Sequence, residues 1–243
     1  MFKLFKKTIA KLVYPDGLRC LLCDKEIPRT DNSLCPNCAP EIISHFCVLC
    51  GADLTNAYQR YCDQCLLIKD TLNFDFARAP YAYSDVKVKK IVWQLKYGKK
   101  FYVAKHMADD MTKIINETNW NFDFITYVPI HKKRLKQRGY NQSKLLAERI
   151  GENLKIKVIP TLIKIKHMQT NATKLGRMER IKALSGSFKR ITSVRGKRIL
   201  LVDDVMTSKA TANECSRILK EGRAKEIYVI TYATSKGIIN KLY

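Results

Sequence analysis

Residues 198–211 read Arg-Ile-Leu-Leu-Val-Asp-Asp-Val-Met-Thr-Ser-Lys-Ala-Thr. The run from Ile199 to Val202 is a short apolar stretch rich in branched residues, which predicts a strand buried on both faces over 198–202. It delivers two adjacent carboxylates, Asp203 and Asp204, to a hydroxyl-rich turn. A helix follows, its apolar residues recurring as far as Leu219, with Gly222 as its stop. This order suits a sugar phosphate. Free N–H groups and the positive end of a helix hold a phosphate, and Thr207, Ser208 and Thr211 add hydroxyl donors. Lys209 and Ala210 complete the loop. Asp203 and Asp204 can accept hydrogen bonds from ribose hydroxyls and help to hold Mg²⁺. The alternative is that the two aspartates simply cap the helix.

Reading outward, residues 83–96 and 101–115 have helical periodicity, while 124–128, 158–165 and 226–234 read as strands. Helices alternating with apolar strands predict an α/β fold, a doubly wound, mostly parallel sheet. In such sheets ligands bind beyond the C-terminal ends of the strands, where residues 203–211 fall.

Upstream, eight of the nine cysteines form four C-x2-C pairs: Cys20 and Cys23, Cys35 and Cys38, Cys47 and Cys50, Cys62 and Cys65. Each cysteine of the first four recurs 27 residues later, the mark of an internal duplication. Two residues between thiolates let both sulfurs reach one ion, so two structural zinc sites are expected, closed and non-catalytic. Disulfides and redox C-x-x-C motifs fit worse, because no secretory signal precedes the repeat and redox motifs do not come as four even pairs. Spacing leaves the pairing open between sequential quartets, which we favour, and a cross-brace. Cys215 stands apart inside a helical stretch and reads as a small core residue.

The chain carries a formal charge of +23 over 243 residues. Residues 1–70 hold nine Lys and Arg against eight Asp and Glu, leaving thirty-six against fourteen for residues 71–243. Four thiolates on one zinc add about −2 per site, so the contrast between the halves grows when metal is bound. A polyanionic partner, single-stranded DNA first, is implied for the basic half. Lys132, Lys133, Arg134, Lys136 and Arg138 crowd what reads as a loop after a strand end, ahead of Asn141, a helix cap. Residues 164–198 hold eleven basic residues and one acid, Glu179, and look like a flap. Both clusters have a bland alternative, a solvated charged face. Tyr97, Tyr102 and Tyr140 can stack on bases or pack at a rim or in the core. No run of about 18 uncharged apolar residues exists, which excludes a membrane-spanning helix on length. Residues 1–13 form a short basic amphipathic pattern that either packs on the protein or touches an anionic membrane surface.

Taken together, Leu95-Lys96-Tyr97-Gly98, Val128-Pro129-Ile130, Arg138-Gly139-Tyr140-Asn141-Gln142, Glu179-Arg180 and the loop from Val202 to Thr211, behind the doubled cysteine module, resemble the ComF family of competence proteins, GntX-like members included. The loop itself resembles the phosphoribosyl pyrophosphate loop of type I phosphoribosyltransferases. Behind the basic N-terminal helix read from its spacing (1–18), the resemblance implies a double zinc ribbon (19–70) and a type I phosphoribosyltransferase-like domain (78–240). It implies cytoplasmic handling of single-stranded DNA in natural transformation, beside other competence or DNA-uptake proteins. Alternatively it implies an active Mg²⁺-dependent phosphoribosyltransferase, with Asp203, Asp204 and residues 207–211 on phosphoribosyl pyrophosphate and with Lys132, Lys133, Arg134 and Arg138 near its pyrophosphate or DNA. Three positions depart from the family pattern, beginning with Ser208 where Thr is usual. Lys209 stands where glycine is usual, at a cost of roughly 1 to 2 kcal/mol if its backbone is left-handed. Ala183 stands where Asn is usual.

Overall fold

The computed structural model describes residues 19–27, 33–54, 56–98, 100–167 and 183–236. The amphipathic segment 1–13, Glu179 and Arg180 fall outside them.

The sheet is built on two nine-residue strands, β6 (Arg198–Met206) and β7 (Glu226–Thr234), joined by helix α6 (Ala210–Glu221). They pair in parallel, with Leu200 opposite Tyr228 and Asp203 opposite Thr231. β3 (Phe124–Tyr127) flanks β6. β1 (Phe76–Arg78) and β2 (Tyr81–Ala82) run along the far side of β7, interrupted at Ala79 and Pro80, where proline has no N–H to give. Every pairing in this sheet is parallel. Alternate residues divide between two cores, as a pleated strand requires. Leu200, Val202, Tyr228, Ile230 and Tyr232 face α2 (Val86–Tyr97), α3 (Val103–Asn116) and α5 (Gln142–Leu154). Ile199, Leu201, Ile227 and Val229 face α6 and the second cysteine quartet. Cys215 is fully buried there, as expected of a core residue.

The cysteine module covers the edge that β1 and β2 would otherwise expose. Ala77 N donates to Leu49 O at 2.8 Å and Ile43 N to Pro80 O at 2.8 Å, so unpaired strand groups are satisfied by the module's backbone. The approach is close enough to dictate a residue. Gly51 has φ +66°, and a Cβ there would lie 2.7 Å from Arg78 Cα and 2.8 Å from Ala77 O.

Three expectations change. Residues 158–165 are not one strand: Val158 makes a single parallel bridge to Ile125, and past Pro160 only β4 (Leu162–Lys164) is extended, paired antiparallel with β5 (Phe188–Arg190). Lys132–Arg138 is not a loop but a helix, α4, capped by His131, whose Nδ1 accepts from Lys133 N, and closed by Gly139 at φ +85°. β6 runs past Val202 to Met206, so the two aspartates lie within a strand, not at a helix cap. The cap position of α6 is Lys209.

Candidate functional site

At the C-terminal end of β6, Asp203 and Asp204 point into different surroundings, because successive strand residues alternate faces. Asp203 Oδ1 accepts from Ser143 Oγ at 2.7 Å and from Asp204 N at 2.9 Å. Burial, then the neighbouring Asp204 charge, pushes its carboxyl up to about 7. Asp204 is also buried, which by itself would raise it, but the Lys96 ammonium 2.6 Å from Oδ2 outweighs that and holds it below the usual carboxylate range. That contact is an ion pair whose angles lie off a hydrogen bond. One carboxyl therefore titrates near neutrality while its neighbour stays ionised.

Ser143 reaches Asp203 because Asn141 starts α5: its side chain accepts from Ser143 N at 3.0 Å and donates to Val128 O at 3.0 Å, tying the helix to the end of β3. Lys96 reaches Asp204 from the last turn of α2, whose N-terminus is capped by Asp85. Lys96 and Ser143 went unrecognised in the sequence as site residues. The motifs containing Lys96 and neighbouring Gln142 were visible, but nothing local says that they meet β6.

Beyond the aspartates, Thr207 is exposed, Ser208 half-buried, and Ala210 and Thr211 open α6. Lys209 takes a left-handed conformation, φ +60° and ψ −12°, that favours glycine. Its side chain leaves the loop. It is buried, and Nζ donates to Gln64 Oε1 at 2.5 Å. Gln64 sits between Cys62 and Cys65 on the short helix α1 (Asp63–Ile68), so this ammonium is engaged with the cysteine module instead of the loop's mouth.

The structure groups the thiols sequentially. Cys20, Cys23, Cys35 and Cys38 form one quartet and Cys47, Cys50, Cys62 and Cys65 the other, with all Sγ atoms of each within 4.8 Å of one another. Zinc fits both. A tetrahedron of sulfurs about 2.3 Å from the ion has edges of about 3.8 Å, and Cys23–Cys35 and Cys50–Cys62 measure 3.6 Å. Four sulfurs close the coordination sphere, so the metal that they hold is structural.

The cations of α4, Lys132, Lys133, Arg134 and Lys136, are exposed. Arg138 is half-buried, donating to Gln142 Oε1 at 2.6 Å and lying 5.2 Å over the Tyr97 ring. Tyr97 is exposed, but Tyr140 is buried: its hydroxyl donates to Leu95 O and its ring meets Phe101 edge-on at 4.8 Å. Tyr140 is thus a packing residue that joins α2 to the start of α5. Ala183 lies just past residues 168–182, which are outside the described part.

Residues 9–66 match the double zinc ribbon domain. The chain is similar to Competence protein F of Haemophilus influenzae, 27% identical over 88% of this chain and 95% of the relative. It is similar to Competence protein ComFC of Bacillus subtilis, 25% identical over 90% of this chain and 95% of the relative. DNA utilization protein YhgH of Escherichia coli K12 is 24% identical over 86% of this chain and 87% of the relative. Among solved structures, the glutamine phosphoribosylpyrophosphate amidotransferase from B. subtilis, complexed with ADP and GMP, aligns at 18% identity and TM-score 0.41, over 58% of this chain and 30% of that one.

Proposed function

On the premise that this chain belongs to the ComF family, a double zinc ribbon on an α/β body, we propose that it handles single-stranded DNA in the cytoplasm during natural transformation. The observation that carries the reading is the exposed cationic helix α4, whose last residue Arg138 bonds Gln142 next to the Ser143 that reaches Asp203, in the half of the chain with thirty-six basic against fourteen acidic residues. Phosphates supply most of the affinity in such contacts and ask for charge, not for a shaped pocket. The names of the relatives, two competence proteins and a DNA utilization protein, agree with it. Other competence or DNA-uptake proteins are its expected partners, with residues 1–13 as its contact to a membrane surface. Among the described residues no helix is long and apolar enough to cross a membrane. The test is a fluorescence-anisotropy titration with an oligothymidylate and with a duplex of equal length. Tighter binding of the single strand is expected, and binding to neither rejects the reading.

One observation favours a second reading. Adjacent carboxylates, Asp203 half-buried and Asp204 buried, ahead of a hydroxyl turn and a helix N-terminus suit ribose hydroxyls, Mg²⁺ and a phosphate, that is, phosphoribosyl pyrophosphate. Asp203 and Asp204 would hold the ribose and Mg²⁺, with Thr207, Ser208 and Thr211 around the phosphate. For binding, Lys96 must give way at Asp204 or share it. Calorimetric titration of phosphoribosyl pyrophosphate with Mg²⁺ should show heat that Asp204→Asn abolishes; no heat from the wild type and none from Lys209→Gly would reject a ligand site. Pyrophosphate release separates an enzyme from a binder.

A further inference from the structure

α2 carries two large aromatic side chains on its outer face. The inner face is conventional: Val88, Ile91, Val92 and Leu95 are fully or almost fully buried. One flank is tied to the first cysteine quartet, with Gln94 Nε2 donating to Leu21 O at 3.0 Å and Lys87 Nζ to Ala39 O at 3.1 Å. The outer stripe, spaced three or four residues apart, reads Val86, Lys89 with Lys90, Trp93 and Tyr97. Trp93 is 58% exposed and Tyr97 61%. Their rings sit 6.1 Å apart, tilted by 43°. A tryptophan is the residue a soluble chain most gains by burying, so two aromatics held outward in contact with each other ask for an occupant.

Charge selects the occupant. Lys89 and Lys90 share the stripe, and Arg138 lies over Tyr97. Among the described residues Lys89, Lys90, Lys132, Lys133, Arg134 and Lys136 form no ion pair. An apolar protein partner would leave these ammonium groups facing a desolvated contact. A single strand satisfies both sets, its bases on the rings and its phosphates on the cations. We infer that Trp93 and Tyr97 form a base-stacking platform for single-stranded nucleic acid, with Lys89, Lys90 and the α4 cations tracking its backbone. The platform adjoins the aspartate site through one helical turn: Lys96 points inward to Asp204 while Tyr97 points outward. A strand stacked there runs past the mouth of the site instead of entering it.

The inference deepens the DNA-handling reading and rests on it, so the test separates the two. Trp93 and Trp120 are the two tryptophans of the chain, and Trp120 stacks on Tyr228 at 5.0 Å, so Trp120→Phe leaves Trp93 as the reporter. The probes are an oligothymidylate of about 16 nucleotides, the upper end of one domain's site size, and an abasic deoxyribose-phosphate oligomer of equal length. Saturable quenching of Trp93 by the first and none by the second is expected. Trp93→Ala and Tyr97→Ala should each weaken oligothymidylate binding by about tenfold and leave abasic binding unchanged, while Trp93→Phe recovers most of the loss. Oligothymidylate binding with no change in Trp93 emission and no loss in Trp93→Ala overturns the platform and spares DNA handling. Binding of neither probe removes both. Quenching that appears only when residues 1–18 are deleted assigns the face to the chain's own amino-terminal segment. Concentration-dependent mass that Trp93→Ala abolishes, without quenching, assigns it to a second copy.

Discussion

Adjacent carboxylates with opposite environments should respond oppositely to the same substitution. In Asp203 the folded state favours the proton, with a carboxyl near 7 against the ordinary 3.8. The native state therefore holds a proton that the unfolded chain has released, and stability falls as pH rises from about 4 to about 7. At about 1.4 kcal/mol per pH unit the gap amounts to about 4 kcal/mol, an upper bound because water and backbone relax around a buried charge. Asp203→Asn keeps an acceptor for Ser143 Oγ and Asp204 N and removes the charge. At pH 8 it should stabilise the zinc-loaded, magnesium-free protein by about 2 to 4 kcal/mol, or about 4 to 16 °C in Tm for a chain of this size. At pH 4.5 the folded Asp203 is protonated but the unfolded one is still mostly ionised, so the gain should shrink to about 1 kcal/mol. Asp204→Asn does the reverse. It leaves the Lys96 ammonium, whose side chain is 22% exposed, without its counter-charge, and should destabilise at pH 8 by about 3 kcal/mol. Its folded carboxyl is depressed, so that contribution is present above the ordinary value and vanishes as pH falls through the depressed one. Differential scanning fluorimetry of both zinc-loaded variants at the two pH values, in buffer without added Mg²⁺, reads the pattern. Equal losses in both variants at pH 8, or a pH-independent gain in Asp203→Asn, would refute the assignment of strain to Asp203.

Elemental analysis should find two zinc ions per chain; stripping them should unfold both cores, since each contains cysteines of one quartet, whereas a protein folded with one ion or none contradicts the closed-site reading. In a double-mutant cycle, Lys209→Ala and Gln64→Ala should couple by about 1 to 2 kcal/mol in urea unfolding, and strict additivity would mean that their 2.5 Å contact holds nothing. Gly51→Ala should cost about 2 to 4 kcal/mol, from the left-handed φ plus backbone contacts under 3 Å, and a neutral substitution would mean that the module does not sit this close to β1.

The sequence made some of this legible and concealed the rest for physical reasons. The offset of 27 residues between cysteines announced two quartets, and the apolar runs at 199–202 and 226–234 announced the central strands, because metal ligation and burial both leave local signatures. α4 was hidden: Lys-Lys-Arg-Leu-Lys-Gln-Arg has no apolar period, and its helix rests on the His131 cap and the left-handed Gly139. β4 was overextended because Pro160 breaks a run whose composition is otherwise that of a strand. The extent of β6 was underestimated because aspartates usually end strands, and here β7 continues beside them, with Val205 opposite Ala233 and Met206 opposite Thr234. At the site, the residue types of the loop were readable, whereas the partners Lys96, Ser143 and Gln64 are long-range neighbours that only the folded chain brings together. The departure at Lys209 was visible; the direction of its side chain was not.

The measurement closest to the central claim is the salt dependence of single-strand binding, with the wild type beside the triple reversal Lys132→Glu, Lys133→Glu, Arg134→Glu. If the four exposed α4 cations and Arg138 each neutralise one phosphate, the slope of log K against log salt should be about −3.5, at about 0.7 per contact. The triple variant should bind every sequence more weakly, with a slope shallower by about 2. Binding that does not change with salt, or that the triple reversal leaves intact, would contradict the account.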